Sequence, residues 1–141
     1  MTAALRIGLA VLALAAWVIG GWNLVLPEHF YEKFPGVALT PPFAEHYARD
    51  FGGATLGLAI VLTAAAAVPQ TILVVPALLG ILAFAVPHAW FHLHHVEEAT
   101  PDVAAVTLVL TVGQPVLALA LLVLAAIRAG RERTRRPTMD A

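Results

Sequence analysis

Apolar and polar positions along this chain separate into blocks of about twenty residues. They do not alternate with the short period of a half-buried strand. The first apolar run extends from Leu5 to Leu26, with Arg6 at its start and Asn23 as the one strongly polar side chain further in. It is about 22 residues long, or roughly 33 Å as a helix, enough to cross a bilayer. Further runs cover Phe51 to Val68, Ile72 to Leu93, and the stretch after Pro101 as far as Ile127. The pattern predicts an all-α fold, a four-helix transmembrane bundle with spans at 5–26, 43–68, 72–97 and 101–127. These make one membrane domain, 1–127, followed by a basic tail, 128–141. Ala13-Leu14-Ala15 resembles a signal-peptidase site, but the run continues past it to Leu26, which favours a retained span.

The breaks between runs carry start and stop signals. Pro27, Pro35, Gly36, Pro41 and Pro42 punctuate 27–42, a segment rich in aromatic residues. It reads as an interfacial connector with one helical turn at 28–34. Thr40 and Pro41 suit the cap and first position of the second span. Thr100-Pro101-Asp102 opens the fourth in the same way, and Gly113-Gln114-Pro115 is expected to interrupt it. Pro87 leaves the carbonyl of Ala83 without its helical donor.

Composition agrees: 60% of residues are hydrophobic and 12% charged, with a mean hydropathy of +0.85. Soluble domains carry roughly 25% charged residues. Charge also orients the chain. Arg128, Arg131, Arg133, Arg135 and Arg136 follow the last span, so the positive-inside rule puts both termini of a four-span protein in the cytoplasm. The expected location is the plasma (inner) membrane. The 27–50 and 94–102 segments, rich in Asp and Glu, then lie outside. The arginines call for no nucleic-acid partner; the lipid bilayer, a second membrane protein or a homo-oligomer are the partners expected. Cysteine and serine are both absent, which excludes disulfides and the Cys and Ser nucleophiles.

The candidate chemistry lies in histidine. All six (His29, His46, His88, His92, His94, His95) fall toward the same end of the predicted bundle. His88, His92 and His95 follow i, i+4, i+7 and so share a helix face, while His94 points elsewhere. On the second span His46, Asp50, Gly53 and Gly57 also share a face. The Gly53/Gly57 pair suggests a close helix approach, which would turn His46 and Asp50 inward. Imidazoles and a carboxylate from facing helices are a ligand set for Zn, Cu or Fe. His46, Asp50, His88, His92 and His95 are therefore the expected metal ligands, with Glu45, Arg49 and Glu98 behind them. Asn23, Thr107, Thr111 and Gln114 form a polar lining inside the bundle. The expected role is that of a redox accessory or metal-handling subunit. A quinone- or haem-contacting oxidoreductase subunit, with the histidines as axial ligands or donors, and a helix-packing partner without a cofactor are the other readings.

Four short-looped helices and the stretch Arg49-Asp50-Phe51-Gly52-Gly53 opening the second make the chain similar to small four-span bacterial membrane proteins of the DoxX-like kind. That resemblance implies the architecture and, in some members, a link to quinone-dependent oxidation. His88-x3-His92 and His92-Leu93-His94-His95 resemble pieces of the histidine boxes of membrane di-iron hydroxylases. The second box is one residue short and the histidines are too few, so that activity is not carried over.

Overall fold

The computed structural model describes residues 1–39, 42–97 and 99–135, with the side chains of Arg133 and Arg135 left aside. Five helices follow one another: α1 (Thr2–Val25), α2 (Pro27–Lys33), α3 (Glu45–Ala67), α4 (Thr71–Leu93) and α5 (Pro101–Arg135). A 3-10 turn at Val37–Leu39 separates α2 from α3. Among the described residues there is no strand, and α1, α3, α4 and α5 are each long and apolar enough to cross a membrane. The long helices run up and down, so both ends of the described chain lie at one end of the bundle. Arg131 reaches the Met1 sulfur there, at 3.3 Å. The opposite, distal end carries α2 and every histidine.

The packing has two characters. Near the termini the interior is apolar: Leu5, Leu9 and Leu12 of α1 join Leu62 of α3, Leu78 of α4 and Leu121 of α5 in one cluster. Arg6 donates to the Ala67 carbonyl at 3.4 Å and Arg128 to that of Pro69, tying the α3–α4 turn to the outer two helices. In the distal half, α1 and α3 touch at backbone level. A Cβ on Gly52 would stand 2.6 Å from the Leu24 nitrogen and 2.8 Å from the Gly20 carbonyl, so only glycine permits this approach. Arg49 donates to the Leu24 carbonyl and joins Glu45 at 2.8 Å, closing the end of α1.

Several boundaries differ from the sequence pattern. The proposed cap and first position, Thr40 and Pro41, lie outside the described residues; residues 42–44 are not helical and α3 begins at Glu45. The Phe43 ring sits 5.3 Å from Tyr31, which holds this segment against α2. The third span ends at Leu93 and not at 97. His94 and His95 turn their Nδ1 atoms onto the Trp90 and Phe91 carbonyls, at 2.8 and 2.7 Å, and so take acceptors that a further turn would have used. Gly113-Gln114-Pro115 does not interrupt α5, which runs unbroken through Pro115. The basic segment is not a separate tail as far as Arg135 but the last turns of α5. Arg128 and Glu132, an i,i+4 pair at 3.2 Å, extend it there.

Candidate functional site

The buried polar side chains divide the bundle unequally. Asn23, Thr55, His92, Thr107 and Thr111 are all buried, and all lie in the distal half. Most are accounted for by their own helix. Asn23 donates to the Ile19 carbonyl at 3.3 Å, Thr55 to Phe51 at 2.7 Å, and Thr111 to Thr107 at 2.8 Å. His92 makes ring contacts with His88 and Phe91, and Thr107 differs from all of these. It is 2% exposed, and its hydroxyl has no hydrogen-bond partner.

That hydroxyl borders a cavity. Two adjoining voids of about 70 and 60 Å³ share Phe34, His88, Leu110 and Thr111 in their walls. The first is closed by Phe30, Phe34 and Pro35 and carries His92 and Thr107. The second reaches toward mid-bundle, to Phe84, Thr55 and Gln114. Pro115 also has no N–H to give the Thr111 carbonyl one turn earlier, so α5 has a spare acceptor beside the same space. The lid over the cavity is aromatic: Phe30 stacks on Phe34 at 4.6 Å, and Trp22 meets Phe30 edge-on at 5.3 Å. Trp22 Nε1 lies 3.0 Å from His29 Nδ1 and donates to it, fixing α2 against the end of α1.

The sequence-predicted ligands fall into different places. His88 and His92 come together, with ring centroids 4.6 Å apart, and both line the cavity. His88 also stacks on Phe84 at 4.9 Å, and Phe84 meets Phe51 of α3 at 5.5 Å. His95 leaves the stripe because α4 has already ended; its ring lies flat on Phe91 at 4.0 Å and is exposed. His46 Nε2 is 3.3 Å from Asp50 Oδ2, but these side chains are 90% and 68% exposed. The expectation that Gly53 and Gly57 turn this face inward is corrected by the packing. The helix face against α1 contains Gly52, Thr55 and Ala59, one position earlier in phase, while a Cβ on Gly53 or Gly57 would meet nothing within 4 Å. Among the described residues no group of three His, Asp or Glu side chains is placed to hold a metal ion. Glu45 and Arg49 pair with each other away from the cavity, and Glu98 lies outside the described residues. Asn23, Thr107 and Thr111 are buried, and Gln114, half-buried, lines the inner void.

A larger open cleft of about 280 Å³ lies at the distal rim, bordered by His29, Glu45 and Arg49. Its His29 is engaged with Trp22 and its Glu45 with Arg49, and the cleft is open, so the enclosed cavity with its unpartnered hydroxyl is the stronger candidate. The polar stripe of α5 is legible from its i, i+4, i+7 spacing. Phe34 and Gly36, whose aromatic lid and tight turn enclose the site, carry no ligand chemistry that spacing could single out. The aromatic, proline-broken composition of 27–42 was the signal available for them.

Comparison with family models, curated proteins and solved structures finds no match to this chain.

Proposed function

We propose that the chain is a multi-pass membrane protein whose distal cavity binds a flat, uncharged carbonyl compound of the quinone class, as the accessory binding subunit of a redox step. The observation that carries this reading is the unpartnered Thr107 hydroxyl, facing the same space as His88 and His92. A hydroxyl and two imidazole N–H groups are donors suited to carbonyl oxygens. Phe34, Phe84 and Leu110 offer the apolar walls that a ring needs. The voids are too small for a large ligand, but a cavity of roughly 150 Å³ accepts a single six-membered ring. Among the described residues no carboxylate borders either void, so a neutral guest fits better than a dication. The basic end, with Arg128 and Arg131, belongs in the cytoplasm by the positive-inside rule, which opens the distal end to the outer face of the plasma membrane.

A second reading, a transition-metal site, has one observation in its favour. His88 and His92 are an i,i+4 pair with adjacent rings, the spacing by which two helical histidines share one ion. Its remaining ligands would be water or a partner's side chains.

One preparation tests both. Detergent-purified protein is titrated calorimetrically with a short-chain benzoquinone and assayed for bound metal. Saturable binding that falls about tenfold or more in Thr107→Val and in His88→Leu supports the quinone reading. Stoichiometric metal, lost in His88→Ala and His92→Ala, supports the second. Protein that binds neither has a cavity filled by water alone, and both readings fall.

A further inference from the structure

The basic end of the bundle gathers guanidinium groups faster than carboxylates to balance them. Arg6 of α1 donates to the Ala67 carbonyl and Arg128 of α5 to that of Pro69, two residues further on, so both side chains come to the α3–α4 turn. Arg131, one turn beyond Arg128, reaches the Met1 sulfur. A thioether is a weak acceptor, and each guanidinium carries five donors. Arg128 pairs with Glu132 at 3.2 Å, but among the described residues neither Arg6 nor Arg131 has a carboxylate partner, and both are exposed. The helices that carry them are neighbours, since a Cβ on Gly8 of α1 would run into the Leu121 side chain of α5. The sequence continues with Arg133, Arg135 and Arg136 against Asp140 alone.

Depth adds to charge. Pro101 and Arg128 are about 40 Å apart along α5 at 1.5 Å per residue. A bilayer with its headgroup layers is about 40–45 Å thick. A helix that enters at Pro101 therefore brings Arg128 and Arg131 to the phosphate layer of the far leaflet.

We propose that Arg6 and Arg131, with Arg128 behind them, hold the phosphodiester headgroup of an anionic phospholipid where α1 and α5 meet. Phosphate oxygens accept from the guanidinium fork through strong, charge-assisted bonds, which a thioether or a single carbonyl does not match. The excess of positive charge favours an anionic headgroup over a zwitterionic one. The level of the cluster favours lipid over a soluble ion, because headgroups are already concentrated in that layer. The site lies at the opposite end of the bundle from the cavity. It is independent of what the cavity binds and of which leaflet the basic end faces.

The full chain, purified in a nonionic detergent, is titrated with equal amounts of phosphatidylglycerol and phosphatidylcholine. Native mass spectrometry separates the two adducts by mass. The phosphatidylglycerol adduct is expected to dominate. Arg131→Gln should weaken it about fivefold, and Arg6→Gln combined with Arg131→Gln by roughly tenfold or more. Lys33→Gln removes a cation at the distal end and should leave it unchanged. Arg131 bonds only a thioether, so its substitution tests the site even where loss of the Arg6 bond to Ala67 disturbs folding; helix content separates the two cases. Equal adducts of the two lipids, no adduct, or an equal loss in Lys33→Gln overturns the proposal. Displacement of the lipid by millimolar inorganic phosphate also overturns it, because the site then belongs to a free anion.

Discussion

Gly36 and Thr107 hold one another in place at the mouth of the cavity. Gly36 has φ +82°, a left-handed backbone that disfavours any side chain, and a Cβ there would stand 2.3 Å from the Thr107 hydroxyl. Gly36→Ala combines backbone strain with overpacking, and a loss of about 2–4 kcal/mol is expected in detergent unfolding. Thr107→Val should behave in the opposite sense. Its hydroxyl is buried without a partner, so a methyl of the same shape leaves stability unchanged or slightly raised. Binding of the carbonyl ligand should nevertheless fall. Thermal unfolding measured beside calorimetric binding separates the two effects. A large destabilisation by Thr107→Val would mean that the hydroxyl is bonded in the resting protein, for instance to an ordered water, and was never free for a guest.

At the scale of single helices, phase decides what each residue can do. Two adjacent stripes of α3 are rich in small residues. One contains Gly52, Thr55 and Ala59; the other contains Gly53 and Gly57 below His46 and Asp50. They are about 100° apart on the helix, and spacing alone supports either as the inward face. The choice is made by α1, whose Gly20 carbonyl and Leu24 backbone press against Gly52. That is a tertiary fact with no local signature. Gly52→Ala must push α1 from α3, because the obstructing atoms are backbone, and should cost about 1–3 kcal/mol. Gly53→Ala, inside the helix and with open space for its Cβ, should be neutral or stabilising by up to about 1 kcal/mol. Equal effects in a detergent unfolding series would place the contact face elsewhere. The end of α4 was hidden for a related reason. Two of the four histidines that mark the site in sequence also end the helix, since His94 and His95 bond to carbonyls of its last turn. His95 therefore leaves the phase of His88 and His92.

For the molecule as a whole, the four long helices were legible because apolar runs of bilayer length have no other stable use. The cavity was not, because it depends on how α2 and the turn after it bring Phe30, Phe34 and Pro35 over His88, His92 and Thr107. The charge arrangement remains the feature that orients everything else. Arg6 and Arg128 bond the carbonyls of the α3–α4 turn, so the basic end is also built into the bundle's termini end. The distal end holds Glu45, Asp50 and Glu97. If the basic end is cytoplasmic, Glu97→Cys in intact cells should react with a membrane-impermeant thiol reagent, whereas Arg131→Cys should react only after permeabilisation. Both positions are exposed, and no native cysteine competes. The reverse pattern would turn the bundle over and give the cavity mouth to the cytoplasm. Labelling of both in intact cells would break the pairing of ends that an even number of spans requires. Labelling at Glu97→Cys alone would leave the His88–His92 cavity drawing on the outer face, where a ligand arriving from that leaflet meets the aromatic lid before it meets the imidazoles.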